Sequence, residues 1–475
     1  MTDTTTLLDD NALLARVKAA PGEGPEIRDP ATGELIGYAP ERSAEDLDAA
    51  VARAKAAQPG WEGLGHEGRA ELLLRAADAI DANAEALARL LSREQGKPLN
   101  GPNARFEVGA CGVWLRDAAT TVLENQVVVD DESAHAELGY RAVGVVGAIS
   151  PWNWPLMITI WQIAGSLRMG NTVVTKPSEY TPLSVLAMVE VLNRVLPADV
   201  LIAVSGCREV GARLAAHSDI AKIMFTGSTA TGRKIIESSA ANLARLTLEL
   251  GGNDAGIVLS DADPAAIADG LFWGAFINTG QTCAALKRLY VHDSIYEDVL
   301  RELKAVAEKT PMGVGLDEQN MLGPLQNKQQ FDIVAGLVAD AKERGGRFVT
   351  GGEPATELGE LFFPITIVAD LDDGAPLVDE EQFGPALPVI RYSDLDEAVA
   401  SANRLDAGLG ASVWSSDRSR AREVAQRLQA GTIWINGHGG LHPKVPFGGV
   451  KGSGYGLEFG VEGLKAVAVP QIISG

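Results

Sequence analysis

The sequence predicts an α/β protein built from two doubly wound parallel-sheet domains with a small β-hairpin arm, and three observations carry that prediction. Between Arg141 and Leu250, short Val/Ile/Ala-rich runs alternate with helix-like segments, and each run ends in a loop that opens a helix. A second alternating series begins after Glu249 and reaches about Asn436. Ahead of the first series, residues 126–141 read as two short strand-like runs around the polar turn Asp130-Asp131-Glu132-Ser133.

Taken in order, Ser43 caps a helix with Asp46 three positions on, and Leu47, Ala50, Val51 and Ala54 give it an apolar stripe. Helical signals dominate to about residue 121. The hairpin follows, from Val127-Val128-Val129 to Leu138-Gly139-Tyr140. The first series places strands over 143–149, 171–175, 200–204 and 221–225, with helices after Pro155, from Thr181-Pro182, over 209–216 and over 228–238. In the second, strands are expected over 254–259, 287–292 and 431–436, with a helix after Ser294. The chain returns through Pro446-Phe447-Gly448-Gly449 to a final apolar run, 466–473, which reads as a strand offered to another subunit.

Bulk properties bound the function. A chain of 475 residues exceeds a single core, so at least two domains are expected. Acidic residues outnumber basic ones by 63 to 41, and the formal charge of −22 excludes nucleic acid and anionic membranes as partners. An anionic cofactor must then be held by local devices such as helix N-termini. Cys111, Cys207 and Cys283 show no metal-ligand spacing, which points to a reducing cytoplasm and no metal site. Residues 1–20 carry Asp3, Asp9 and Asp10 and lack the apolar core of a secretory signal. Residues 142–167 are uncharged and long enough to span a bilayer, but Pro151, Asn153, Pro155 and Gln162 interrupt them, so a buried strand-turn-helix is expected.

Four stretches carry candidate chemistry. Cys283 lies in Gly280-Gln281-Thr282-Cys283 and Glu249 in Leu248-Glu249-Leu250-Gly251-Gly252-Asn253; a thiol and a carboxylate of this kind can attack a carbonyl and hydrolyse the adduct. Alone, Cys283 also reads as a small buried apolar residue. Pro151-Trp152-Asn153-Trp154-Pro155 projects a carboxamide suited to an oxyanion, or forms an Asx-type turn. Lys176-Pro177-Ser178-Glu179 can hydrogen-bond a ribose, or be a solvated turn with a surface ion pair. Phe225-Thr226-Gly227-Ser228-Thr229-Ala230-Thr231 can hold a phosphate at a helix start, or be an ordinary Ser-capped helix; it matches neither GxGxxG nor a P-loop.

Together these stretches resemble the aldehyde dehydrogenase superfamily, from about residue 25 to the end of the chain. The resemblance implies Rossmann-like domains, with residues 1–124 and 141–248 binding NAD, 249–440 catalytic, 441–462 returning to the cofactor domain, and 125–140 with 463–475 forming an oligomerisation arm. It implies Cys283 as nucleophile, Asn153 with the Cys283 N–H as oxyanion donors, and Glu249 as the base for the deacylating water. Lys176 and Glu179 would bind the adenosine ribose, with Trp152 and Ser228 along the adenosine and pyrophosphate. Gly211, Phe225, Gly227 and Thr231 would shape that side, and Glu381 and Phe383 would meet the nicotinamide ribose and ring. Ile149, Ser150, Ser178 and Leu250 complete the cofactor set.

The implied reaction is NAD-dependent oxidation of an aldehyde to an acid through a thioester, in a homodimer or homotetramer. Glu179 favours NAD over NADP. Two alternatives stand beside it: a CoA-acylating dehydrogenase, against which Glu249 argues, and a non-catalytic NAD-binding relative. Three residues depart from the family pattern: Gln162 where many relatives have Lys, Leu457 for a common Arg, and Trp154 for a common Phe. The first two put in doubt a proton path from Glu249 toward Glu458. Trp154, Trp161 and Leu156 suggest an apolar substrate lining. His438 and His442 read as exposed loop residues, and Arg116 and Arg168 are candidates to bind a carboxylate-bearing aldehyde.

Overall fold

In the computed structural model, which describes residues 8–475, the first alternating series forms a six-stranded sheet. Its spatial order is Gly454–Tyr455, Arg245–Glu249, Ile220–Thr226, Val145–Ile149, Thr172–Lys176, Leu201–Ala203. All neighbours are parallel except the short edge strand Gly454–Tyr455, supplied by the returning chain. The chain winds outward from Val145–Ile149 through Leu201–Ala203, then crosses back to lay Ile220–Thr226 on the other side. Ile149 and Phe225 are register partners across that switch, the crevice where doubly wound sheets receive ligands.

Helices cover this sheet, which is why its strands read as continuous apolar runs. Ala44–Gly63 opens with the expected capping box of Ser43 and Asp46, and buries Leu47, Ala50, Val51 and Ala54 in one cluster with Val145 and Val174. Pro155–Arg168 and Pro182–Leu192 each carry Pro in the first turn, where no N–H is needed. The uncharged stretch 142–167 thus becomes strand, turn and buried helix, as expected. No helix among the described residues is long and apolar enough to cross a membrane. Residues 1–7, part of the stretch examined for a secretory signal, lie outside the described residues.

The second series forms a seven-stranded sheet ordered Arg347–Thr350, Thr366–Ala369, Ala386–Tyr392, Leu286–His292, Asp254–Val258, Gly410–Trp414, Thr432–Ile435, with only the first antiparallel. Two apolar clusters include alternate residues of its central strands, Ile257 and Tyr290 in one and Val258 and Val291 in the other.

The arm is a third sheet of Gln126–Asp130, His135–Ala142 and Ala468–Ser474. The last strand pairs antiparallel with its own chain, from Ala468↔Ala142 to Ser474↔Ala136, and stands at the edge of this sheet. Asn171 Nδ2 donates to Val467 O (2.9 Å) and so pins the start of the run beside Ala142. A short hairpin, Glu26–Arg28 with Leu35–Tyr38, also lies between the helices Asp10–Val17 and Ala44–Gly63 and was not expected.

Candidate active site

Glu249 ends the strand Arg245–Glu249, and Leu250-Gly251-Gly252-Asn253 then carries the chain into the second sheet at Asp254. Cys283 lies just before Leu286–His292 in that sheet. Asp254 and Leu286 are register partners in adjacent parallel strands, so the two loops preceding them must run side by side. Asn153, in the turn between Val145–Ile149 and Pro155–Arg168, approaches from the first sheet. The site therefore joins the carboxyl edge of one sheet to the amino edge of the other.

The loop before Cys283 is strained. Asn278, Thr279 and Gly280 all have positive φ (51°, 57° and 73°), and a β-carbon on Gly280 would overlap the Gly384 carbonyl. Such conformations cost about 1–3 kcal/mol per non-Gly residue and persist only when neighbours enforce them. The enforcing contacts are buried: Asn278 Nδ2 donates to Asn153 O (2.8 Å), and Gln281 Nε2 donates to Asn278 O (3.2 Å) and Pro324 O (3.3 Å). Asn153 Nδ2 donates in turn to Gln281 O (3.0 Å), which ties the carboxamide to the cysteine loop.

Behind Asn153, Lys97 Nζ bonds Asn153 O (2.7 Å) and Glu107 (2.6 Å) and lies 3.6 Å from the centre of the Trp154 ring. Glu107 accepts from the N–H groups of Leu156 and Met157 at the start of the next helix (2.8 and 3.1 Å). Both charges are fully buried, so neither is free to leave the other.

Burial pushes the Cys283 thiol up to about 12; nearby Lys287 opposes this, while Glu381, Glu249 and Asp254 add to it. The resting residue is a thiol, not a thiolate. Lys287 Nζ, wedged beneath the loop, donates to Cys283 O (2.7 Å), Gly252 O (3.3 Å) and Glu381 (2.7 Å). Burial, reinforced by Glu458, also holds the Glu249 carboxyl well above the usual carboxylate range, and neither of its oxygens has a hydrogen-bond partner among the described residues. A β-carbon on Gly448 would sit 3.2 Å from Glu249 Oε1 and strike the Gly456 carbonyl, so only glycine lets the returning segment pass this close.

Glu458 is itself pushed up to about 8 by burial, against the pull of Lys222, and burial brings Lys222 down to about 8. Gln162 is occupied elsewhere: Nε2 donates to Ile149 O (3.2 Å) and Thr226 Oγ1 (3.1 Å). The cation expected from that helix is instead supplied across the sheet by Lys222, whose Nζ donates to Thr247 Oγ1 (2.7 Å).

Cys283 borders two cavities. One, of about 200 Å³, runs from Trp152, Gly227 and Ser228 past Asn153, Glu249 and Leu250 to Glu381 and Phe383. The other, of about 440 Å³, lies beyond Cys283 and includes Trp154 and Trp161.

The first cavity opens at the switch point of the first sheet and suits a dinucleotide. Ser228 caps the helix Thr229–Ser239, its Oγ accepting from Thr231 N and donating to Thr231 Oγ1 (3.0 Å), so the first turn presents its N–H groups at the crevice. Trp152 and Phe383 meet edge to face at 5.4 Å across its mouth. A β-carbon on Gly227 would strike the Phe225 ring, and one on Gly211 would reach 3.4 Å from Lys176 Cδ. Lys176 is buried at the end of its strand, with Nζ bonded to Pro177 O (2.9 Å), and Glu179 is exposed beside it; they form no ion pair. Lys176, Ser178, Glu179 and Gly211 thus group at the next strand end and do not border the 200 Å³ cavity. Ser150 N donates to Lys176 O (3.2 Å), linking the two strand ends.

Several expectations for the second cavity need correction. Trp154 and Trp161 line it, but Leu156 is fully buried behind it. The His438 side chain is not exposed: it is enclosed, with Nδ1 2.9 Å from Ser412 Oγ and Nε2 3.5 Å from Asp254, because the Gly-rich segment folds it under the tunnel wall. His442 is exposed, as expected. Arg116 pairs with Asp78 and Asp81, and Arg168 bonds Thr121 O and His66 O; neither borders the cavity.

The sequence reading missed Lys97, Glu107, Lys222, Lys287, Asn278 and Gln281. One signal was available: Lys222 and Lys287 each interrupt an apolar strand run, and a lysine buried in a strand requires a partner. The amide network left no such mark.

Known proteins share this fold and much of this sequence. The model of the aldehyde dehydrogenase family matches residues 17–473. Phenylacetaldehyde dehydrogenase of Pseudomonas fluorescens is 39% identical over 452 residues, covering 92% of this chain and 90% of that protein. An NAD+ complex of an aldehyde dehydrogenase from Bacillus cereus superposes with a TM-score of 0.92 at 35% identity, covering 97% of this chain and 94% of that one. An E. coli NADP-dependent enzyme gives 0.93 at 33% identity, covering 97% and 96%. The chain therefore belongs to the aldehyde dehydrogenase family and is an oxidoreductase of that family.

Proposed function

We propose that the protein oxidises an aldehyde to a carboxylic acid with NAD, through a thioester on Cys283 that water hydrolyses. The observation that carries this reading is the position of Cys283 between two cavities: a polar cleft that also holds Asn153 and Glu249, and an apolar tunnel open to a substrate.

Bound NAD supplies the hydride acceptor. The chain does the rest. Cys283 sulfur adds to the aldehyde carbon, and because burial raises its pKa the thiol proton leaves as the C–S bond forms, passing to water in the cleft while the carbonyl oxygen takes the negative charge. Asn153 has two Nδ2 hydrogens; with one on Gln281 O, the second serves the developing oxyanion. Once the carbon is oxidised, Glu249 takes a proton from water as the water attacks the thioester. Burial and Glu458 raise the Glu249 pKa, so Glu249 acts as base only after its own proton has passed to the Glu458 carboxylate, the charged form that Lys222 favours before the transfer.

The reading is tested with purified protein, NAD and an aldehyde panel, with and without CoA. Free acid formed without CoA, and a mass adduct on Cys283 in quenched samples, are expected. Acyl-CoA as product would overturn the role of water, and absence of NADH with every aldehyde would overturn the reaction.

Two smaller predictions follow from named groups. Lys222→Met removes the positive charge that favours the Glu458 carboxylate, so the Glu249–Glu458 pair deprotonates at higher pH. The pH limb of the hydrolytic step is expected to move up by about one unit, equivalent to ~1.4 kcal/mol. An unmoved limb would assign Lys222 to structure alone. For the cofactor, the exposed Glu179 carboxylate repels a 2′-phosphate, and Glu179→Ser is expected to improve kcat/KM for NADP relative to NAD by about tenfold, ~1.4 kcal/mol. An unchanged ratio would move selectivity elsewhere.

Assembly into a homodimer or homotetramer belongs to the same reading. Val127, Val128, Ile472 and Ile473 are exposed on the three-stranded arm, an apolar patch of the kind that marks a protein contact. A monomeric mass by light scattering would contradict it.

A further inference from the structure

The tunnel beyond Cys283 is larger and more aromatic than the chemistry at sulfur requires. Its volume of about 440 Å³ falls among sites that enclose whole organic ligands, roughly 300–1,000 Å³. Trp114, Trp154, Trp161, Trp273, Phe106 and Phe447 line it. A two-carbon aldehyde would leave most of these rings without contact, forfeiting the dispersion and area terms that they offer.

Charge is kept out of this space. Among the described residues, no Asp, Glu, Lys or Arg lines it. Two cations lie behind its wall: Lys97, on the Trp154 ring, is fully buried and bound to Glu107 and Asn153 O, and Lys287, beneath Cys283, is paired with Glu381. Arg116 and Arg168 have partners elsewhere. Among polar wall atoms, Trp154 Nε1 is satisfied by Thr282 Oγ1 (2.9 Å), and the His438 Nδ1 by Ser412 Oγ. The indole N–H groups of Trp114 and Trp161 have no hydrogen-bond partner among the described residues, but both are buried and present no donor surface to the tunnel. Nothing on this wall offsets the burial of a carboxylate or an ammonium group.

We infer that the substrate is an uncharged aldehyde bearing a bulky apolar group, an aryl-alkyl group above all, which fills the aromatic tunnel, and that aldehydes carrying a carboxylate or ammonium are excluded. This inference rests on the aldehyde-oxidising reading for its chemistry but not for its binding site. Apolar contacts set the selectivity: each methylene added along the tunnel contributes a modest factor, whereas a buried unpaired charge costs a large one.

The test compares kcat/KM, with NAD, for 3-phenylpropanal, hexanal, propanal and a five-carbon aldehyde ending in a carboxylate. The aryl-alkyl aldehyde is expected to exceed the carboxylated one by about 100-fold or more, and hexanal to exceed propanal by at least about tenfold. A turnover-independent arm titrates the inert 3-phenylpropanamide against indole fluorescence, where saturable quenching is expected. Comparable kcat/KM for the carboxylated aldehyde, or no binding of the amide, overturns the inference and leaves the reaction standing. Binding of the amide without acid from any aldehyde supports the tunnel's ligand class and overturns the reaction. Phe106 offers a variant outside the core: it is 48% exposed at the rim, edge to face with Trp154 at 6.3 Å. Phe106→Arg is expected to narrow the preference for aryl-alkyl over carboxylated aldehyde by about tenfold; an unchanged ratio counts against the inference.

Discussion

Replacing Glu249 with Gln is expected to leave a burst of one NADH per active site and then to lower steady-state turnover by about 10²–10⁴-fold, the usual weight of a positioned general base. The burst survives where the Cys283 proton leaves by a route other than Glu249; the stall follows because water at the thioester loses its base. Gln is a fair mimic of the resting residue. Burial and the neighbouring Glu458 raise the Glu249 pKa and so favour its neutral form, and its oxygens have no partner among the described residues to lose. A buried acid whose folded pKa is raised contributes stability below its unfolded pKa, and that contribution is lost as pH rises through the folded value. The amide has no such loss, so thermal melting of the variant above pH 7 should equal or exceed that of the unmodified protein. The burst rate separates two roles for Glu249. If the burst slows with turnover, Glu249 also receives the Cys283 proton; undiminished steady-state turnover would remove it as the hydrolytic base.

How much of this was legible in the sequence depends on the range of the interaction. The alternation of strand and helix is local, so the cofactor-side strands and the caps at Ser43 and Ser228 were readable within a residue or two. The stretches that carry Cys283, Glu249 and Asn153, which the fold brings to one cleft, stood out because each is a short motif with its own turn chemistry. What escaped was carried by contacts between distant segments. Lys97 reaches Asn153 across 56 positions, and Gln281 meets Pro324 across 43. The final apolar run looked free because its partner, the His135–Ala142 strand, lies far upstream and is joined to it by Asn171. His438 looked exposed because glycines surround it, yet those glycines let the backbone fold the imidazole beneath the tunnel. Gln162 looked like a loss; it became a finding only when the register of Ile220–Thr226 and Arg245–Glu249 placed Lys222 on the same side of the problem.

Asn153→Ala is expected to slow the NADH burst by about 10²–10³-fold, or ~2.7–4 kcal/mol, with little change in NAD affinity. The side chain is 3% exposed, and its amide sits beside the cysteine loop at the border of the 200 Å³ cleft. Truncation removes the oxyanion donor and leaves Gln281 O with Asn278 Nδ2 (3.3 Å) as its remaining side-chain donor. The backbone at 153 does not depend on the lost amide: its carbonyl is held by Lys97 Nζ and Asn278 Nδ2 in either case. The strained residues 278–280 therefore keep their main ties, and the variant is expected to fold. That separation matters for the reading of the result. Loss of loop geometry would scatter Cys283 itself and abolish its alkylation by an apolar maleimide, whereas loss of the donor alone leaves the thiol reactive and slows only the step in which charge develops on oxygen. Normal alkylation with a slow burst identifies Asn153 as the oxyanion donor; a burst within about threefold of the unmodified protein assigns that charge to the backbone N–H of Cys283 instead.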